Sequence, residues 1–470
     1  MPDADAYRYE DVAPLDVPEP ARDCSLEPVM LTDETIAERK RAVLDRMAAR
    51  GLDDLVVYAD LEHGGNYEYL VGFLPRFEES LLVLHADGSA HLVLGNENLN
   101  KADKARIEVT PVHMPHLSLP NQPMAGAAPV ADLLSEAWLA AGRRVGVAGW
   151  KLFTSPCDDN SRLLDVPAYL VEAIRELCGA DHVVNAADVF LGPDGVRRTN
   201  NPNEIAHYEF AASLAGDALL DAMDALVPGA SELEVADRLS RYGQRESVIT
   251  VCAFGPRFVK ANVFPTAKRL VVGETVSMSV GYRGGLSSQA GYAVSDASEL
   301  PAADADWYEA MAAPYFTSVR AWLENARVGM SGGELWGLVD DVLPRETYGW
   351  TLCPGHLVAE EEWLCSPVYE GSEEPLESGM LFEIDVIPSR AGHAGVSCES
   401  TCALADAELR ARIAEEEPAL WSRIERRRAY LADELGIALS EDVLPMSCTL
   451  GYLRPFLLSR KAMGVVPAAR

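Results

Sequence analysis

Asp385 stands in "LFEIDVI", residues 381 to 387, a run otherwise apolar enough to read as a buried strand. An unpaired carboxylate there would be costly, so a partner or a chemical task must keep it. Glu383, two positions earlier, points to the same strand face and could join it. Upstream, His356 follows a glycine in "CPGHLV". An imidazole beside a carboxylate is a general acid–base pair, because the carboxylate fixes the tautomer and raises the imidazole pKa toward working pH. The plainer account is structural, with a capped or core histidine and an ion-paired aspartate. Cysteine chemistry is a weaker option: Cys353 precedes His356 by three positions and Cys398 adjoins Glu399. A neighbouring carboxylate raises a thiol pKa and so works against a nucleophile. "GPDGV" and "YRGGLSS" read as turns and lack phosphate-loop spacing, so no nucleotide cofactor is expected.

The elements that would position these groups are legible. "DETIAERKRAVLDRMAARG" is a helix stopped by Gly51, followed by the strand "LDDLVVYAD", the hairpin "ESLLVLHADGSAHLVL" and the strand "RRVGVAGW". Their alternation with helical patterns predicts an α/β domain over residues 31–195, behind an N-terminal arm over residues 1–30. A second domain, residues 196–470, opens with a helix capped by Asn201, Pro202 and Glu204. Within it, "VPGASELEVADRL" and "RVGMSGGELWGLV" share a glycine, then Ser-x-x-Glu, then an amphipathic pattern. That is the signature of a duplicated α/β half with a site between the halves. "GETVSMSVGYRGGLSSQAGYAV", residues 273 to 294, reads as two strands around a turn, with no carboxylate after Glu274.

The 470 residues are 48% hydrophobic and 24% charged, with a net charge of −33. Nucleic acid and anionic membrane surfaces are disfavoured as partners, since both need a basic face. The first twenty residues lack the basic and apolar regions of a signal peptide, and no apolar run reaches the roughly 18 residues of a membrane span. The nine cysteines are scattered, and "CESTC" lacks CxxC spacing. A cytoplasmic protein with free thiols is the expectation.

Five segments, in order, resemble the creatinase/prolidase/aminopeptidase P branch of the pita-bread superfamily. "GGNYEYLVGF" resembles its N-terminal-domain signature, where a Tyr-Leu-x-Gly-Phe strand end follows an Asn. "VRRTNNPNEIAHYEFAASLA" resembles the linker and first helix of the catalytic domain. "CPGHLVAEEEWLCSPV", "LESGMLFEIDVIP" and "GVSCESTCALAD" resemble its three C-terminal active-site segments. The resemblance covers about residues 36 to 405 and implies two domains of mixed α and β structure, a homodimer, and a small-molecule substrate. It also implies two bridged divalent ions, held by two Asp, one His and two Glu.

Carried over position by position, those ligands become Ser279, Gln289 (or its neighbour), His356, Asp385 and Glu399. Ser279 and Gln289 cannot supply a bridging charge, so a dinuclear centre is not expected. The family's proton-shuttling His falls on Asn262 or Val263, and a further family His falls on Trp363. The resemblance therefore implies a catalytic set of His356, Asp385 and Glu399. Asn262 and Gln289 would donate hydrogen bonds to a carbonyl or guanidine-like group, Ser279, Glu361 and Glu383 are further substrate-binding candidates, and Trp363, Tyr282 and Phe264 would form walls for a small ligand. The leading expectation is a creatinase-like enzyme that cleaves a C–N or amide-type bond of a small polar metabolite without cofactor. Two alternatives stay open. One is a non-catalytic binding protein of this fold. The other is a peptidase with a single Mn, Zn, Co or Fe ion on His356, Asp385 and Glu399.

Overall fold

The computed structural model describes residues 4–125, 127–257 and 264–466. The chain divides into two compact units, Leu31–Arg198 and Met1–Met30 with Thr199–Arg470.

In the first unit, the Thr32 side chain accepts from the Thr35 N–H to cap the helix Asp33–Arg50, and Gly51 ends it in the left-handed region at φ 61°. Six strands follow in the spatial order Thr110–His113, Ala90–Leu94, Ser80–His85, Asp54–Ala59, Val145–Ala148, Val183–Asn185. The central strands pair antiparallel as the expected hairpin, and the other three pairings are parallel. Val56, Val83, Val93 and Val147 of this sheet pack with Leu170 and Ile174 of the helix Ala168–Cys178. "GGNYEYLVGF" differs from the expected strand end. It forms the helix Gly65–Val71, closed by Gly72, whose N–H donates to Glu68 O.

The second unit shows the repeat in its hydrogen bonds. Gly229 donates to Leu270 O and Gly329 to Leu376 O, while Leu270 and Leu376 donate back to Ala230 and Met330. Ser231 with Glu234, and Ser331 with Glu334, close capping boxes on the helices Glu232–Ala236 and Gly332–Val342. Each half carries a sheet. The first runs Gly285–Tyr292, Thr275–Tyr282, Glu246–Phe254, and the second runs His356–Leu357, Leu381–Glu383, Thr401–Leu404, Val443–Pro445. The long helix Pro202–Asp224, with its Asn201–Glu204 capping box, lies against the first sheet. Contact is closest at the hairpin turn, where a Cβ on Gly284 (φ +126°) would come within 2.8 Å of Tyr208 Cα.

The two sheets meet through bridges between Ser287 and Ser400 and between Ala290 and Ser397. Of residues 1–30, Val12–Leu15 forms a strand antiparallel to Ala462–Val465.

Candidate functional site

The site is built around His356. Gly355, at φ +130°, fits against the Trp322 indole, whose N–H donates to Pro354 O, and Ser366 Oγ donates to Gly355 O. Ladder pairing then sets His356 opposite Glu383. Beyond Leu357 the chain turns back on itself, with Leu357 N donating to Cys365 O and Leu364 N to Leu357 O. That return lays the Trp363 ring over the imidazole, centroids 4.1 Å apart and planes 23° apart. It also brings Glu362 to the imidazole edge, its Oε1 3.2 Å from Nε2. Trp363 thus covers one face of the imidazole and is itself 38% exposed.

Asp385 Oδ2 lies 4.0 Å from the same Nε2. His356 Nε2, a Glu362 oxygen and a Glu399 oxygen all fall within 4.8 Å of one another. Three of the expected residues, His356, Asp385 and Glu399, are therefore assembled, together with one the sequence reading missed. The carboxylate at the imidazole is Glu362, not Glu361. The run Glu360–Glu362 offers three candidates, and only the geometry of the return selects among them.

The strand carrying Asp385 ends at Glu383, short of the expected Ile387. Glu383 is fully buried; its Oε1 accepts from Leu286 N at 2.7 Å and Thr401 Oγ1 at 2.5 Å, and its Oε2 has no hydrogen-bond partner. It stands behind the cluster rather than at its mouth.

Electrostatics sets this group apart. Burial pushes Asp385 up to about 6, opposed by His356 and reinforced by Glu362. Burial and then the charges of Asp385, Glu383 and Glu362 hold Glu399 well above the carboxylate range. Glu383 is raised by burial against the pull of its two hydrogen bonds. Among the described residues, no Lys or Arg pairs with these acids. The Cys398 thiol is pushed up to about 12 by burial, which removes it as a nucleophile.

Several expected site residues lie elsewhere. Ser279 pairs with Ser288 across the hairpin, whereas Gln289 pairs with Met278, so Ser279 and Gln289 face opposite sides of the sheet. Gln289 is fully buried, donating to Tyr452 O at 2.5 Å and accepting from Arg454 N at 3.2 Å. It is a core residue. Tyr282 is also structural, since its hydroxyl donates to Leu239 O and accepts from Arg241 N. Phe264 is 55% exposed and makes no ring contact with the cluster. Asn262 and Val263 lie outside the described residues. Ser279 shares its face with Ser288, whose N–H donates to Glu399 O and whose hydroxyl accepts from Ser397 Oγ. That face offers neutral hydroxyls where the resemblance calls for two carboxylates.

The profile of Metallopeptidase family M24 matches residues 206–406. That match spans His356, Asp385 and Glu399. No curated protein sequence matches the chain. Among solved structures, dipeptidase PepE from Mycobacterium ulcerans is similar at 19% identity and TM-score 0.60, over 80% of this chain and 94% of that one. The prolidase from Pyrococcus horikoshii OT3 follows at 18% and 0.60, over 78% and 95%. The X-Pro aminopeptidase from Thermotoga maritima MSB8 matches at 14% and 0.58, over 78% and 95%. The fold is therefore that of the prolidases and aminopeptidase P, and the residues matched by the M24 profile include the His356 cluster.

Residues 206–406 hold a second group of possible metal ligands, Asp304, Asp306 and His393. There Asp304 accepts from Tyr292 OH at 2.6 Å and Ala394 N at 2.9 Å, and lies 2.6 Å from His393 Nδ1. Both its oxygens are engaged, which makes it a structural knot.

Proposed function

We propose that the chain is a peptidase-like hydrolase that cleaves an amide-type C–N bond in a small polar substrate without a dinuclear metal centre. The carrying observation is His356. Its Nδ1 lies 3.2 Å from Leu357 O, which accepts the Nδ1 proton, so the Nε2 lone pair is presented to the cluster, buried and without a hydrogen-bond partner. In the proposed reaction Nε2 takes a proton from water as its oxygen adds to the carbonyl carbon. The C–N bond then breaks, and the leaving amine takes a proton from Glu399, whose burial and acidic neighbours favour the protonated form. His356 returns its proton to that carboxylate. A single divalent ion held there would polarise the carbonyl and acidify the water, and Nε2 would then serve as a ligand instead of the base. The donor set fits one ion, because an orphaned imidazole nitrogen faces several carboxylates.

The M24 match and the prolidase-like fold support the reaction class; the neutral serine face supports the absence of a second ion. The test is a mass-spectrometric screen of Xaa-Pro dipeptides, other dipeptides, N-acyl amino acids and guanidino acids, with and without Mn(II). Turnover that disappears in His356→Ala is expected; no turnover of any class would leave a ligand-binding module. We keep a homodimer and a cytosolic location as part of this proposal, to be checked by light scattering and fractionation. No described helix is long and apolar enough to cross a membrane.

A further inference from the structure

We propose that the first unit holds a site of its own for a small zwitterion with an apolar body, an α-amino acid or a short peptide. The site is a cavity of about 540 Å³, outside the residues matched by the M24 profile. It lies among the turn after the strand Asp54–Ala59, the turn before the strand Ser80–His85, and the segment Leu117–Pro120. A volume of that order holds a small ligand. Four acids and one arginine line it, and three of the acids are already engaged. Asp60 accepts from Glu62 N at 2.9 Å and His63 N at 2.7 Å, and Glu78 accepts from Glu97 N at 2.9 Å and Asn98 Nδ2 at 3.0 Å. Glu79 accepts from the hydroxyls of Tyr58 at 3.2 Å and Tyr169 at 2.9 Å. Glu62 and Arg76 remain. Among the described residues neither has an opposite charge within 4.0 Å, so they do not pair with each other either.

Both charges stand on pinned backbone. Asn98 brackets Arg76, its Oδ1 accepting from Arg76 N at 3.2 Å and its Nδ2 donating to Arg76 O at 3.0 Å. The next residue, Phe77, is held at φ 69°, a conformation that a bulky side chain keeps only where its surroundings impose it. Buried Glu78 follows directly, and its bonds to Glu97 and Asn98 close the constraint. The Phe77 ring nevertheless stands 71% exposed, with the Arg76 guanidinium 5.6 Å from its centroid. Leu61, beside Glu62, is 44% exposed. Backbone strain that buries nothing of its own side chain points to a ligand rather than to packing. The chemistry of that ligand follows from what is unsatisfied. A carboxylate matches the fork of Arg76, an ammonium matches Glu62, and an apolar side chain would cover Leu61 and Phe77. A molecule carrying only one of the two charges leaves the other wall charge without a partner.

The full chain is titrated by calorimetry with L-leucine, with Leu-Leu, and with two analogues that each lack one charge, isopentylamine and 4-methylpentanoate. One leucine per chain is expected, with each analogue weaker by about 10-fold or more, the worth of one hydrogen bond to a charged group. Arg76→Gln should bring leucine down to the affinity of the amine, and Glu62→Gln to that of the acid. Tighter binding of Leu-Leu than of leucine supports a peptide ligand, and the reverse supports a free amino acid. Absence of both at millimolar concentration overturns the proposal, as do single-charge analogues that bind as well as leucine. Affinity unchanged in both variants also overturns it, since the ligand would then sit elsewhere, the His356 cluster included. Both side chains are exposed, and melting temperatures check that the variants fold. Should Arg76→Gln not fold, Arg76→Lys takes its place, keeping the charge without the fork. Weaker binding is expected there, and wild-type affinity overturns the assignment. Failure to cleave any amide would leave these titrations intact and count against the hydrolase reading alone.

Discussion

Asp54 in the first unit and Asp385 in the second are both buried aspartates beside a histidine, and their surroundings treat them in opposite ways. Asp54 is 2.6 Å from His85 Nδ1 and accepts from Arg143 Nε and Nη2, both at 2.5 Å. His85 Nε2 in turn lies 3.0 Å from His91 Nδ1. Burial would raise the Asp54 pKa, yet the hydrogen bonds and charges of Arg143 and His85 hold it below the usual value. Asp385 has no arginine, shares its imidazole with other acids, and is pushed up to about 6. A structural network balances its charges internally. The His356 cluster leaves a lone pair and several acids unbalanced, an arrangement that persists where a proton or a cation is to be handled.

The largest effect that could break this contrast is catalytic. His356→Asn should lower kcat/KM of the substrate found by the screen by ~10²–10⁴, the worth of a general base, with little change in melting temperature. A stability loss that accounts for the missing activity would make His356 a core residue and erase the distinction. Next comes Asp54→Ala, which strands His85 and Arg143 and should cost about 3–5 kcal/mol in urea denaturation. A cost under about 1 kcal/mol would show that this network is not what holds its hairpin to the neighbouring strands.

The fold was legible because local signals agreed with one another. Asn201, Ser231 and Ser331 each sit three residues before a glutamate, and each forms the capping box that spacing predicts. The duplicated Gly-then-Ser-x-x-Glu pattern reappears as duplicated backbone bonds. The site was legible only in part. A motif assigns Gln289 a ligand position, but whether its side chain reaches the cleft depends on hairpin register, and one residue of register exchanges the two faces. Choosing Glu362 over Glu361 depends on where the chain turns back after Leu357, which neither periodicity nor spacing encodes. Tyr282 looked like a ligand wall because aromatics suit both walls and cores, and its hydroxyl bonds decide for the core.

A pH experiment sharpens the comparison at smaller amplitude. In chelator-treated protein, Asp385 has a folded pKa of about 6 against an ordinary 3.8, so the folded state holds its proton more tightly than the unfolded state. Stability should then fall as pH rises through that window, by at most about 3 kcal/mol. Asp385→Asn should remove this fall, which urea midpoints at pH 4, 5, 6 and 7 would reveal. An unchanged slope would mean that Asp385 is not the acid that the cluster keeps protonated.

The smallest effect carries the opposite sign. His91 is held below the usual histidine value of 6.5, by burial first and then by the charge of His85. The groups facing it are His85 and, through it, Asp54 and Arg143, with the Trp138 ring packed 4.6 Å away. Below pH 6.5 the unfolded chain protonates this histidine while the folded one resists, so the unfolded state binds more protons and stability falls on acidification. The contribution is fully present above the unfolded pKa and is lost below it, the reverse of the Asp385 window. His91→Gln, which cannot take a proton, should flatten the acid limb of the stability curve between pH 5 and 6.5. If the limb keeps its slope, burial and the neighbouring His85 do not hold His91 neutral, and the first unit's network would be no better balanced than the second's.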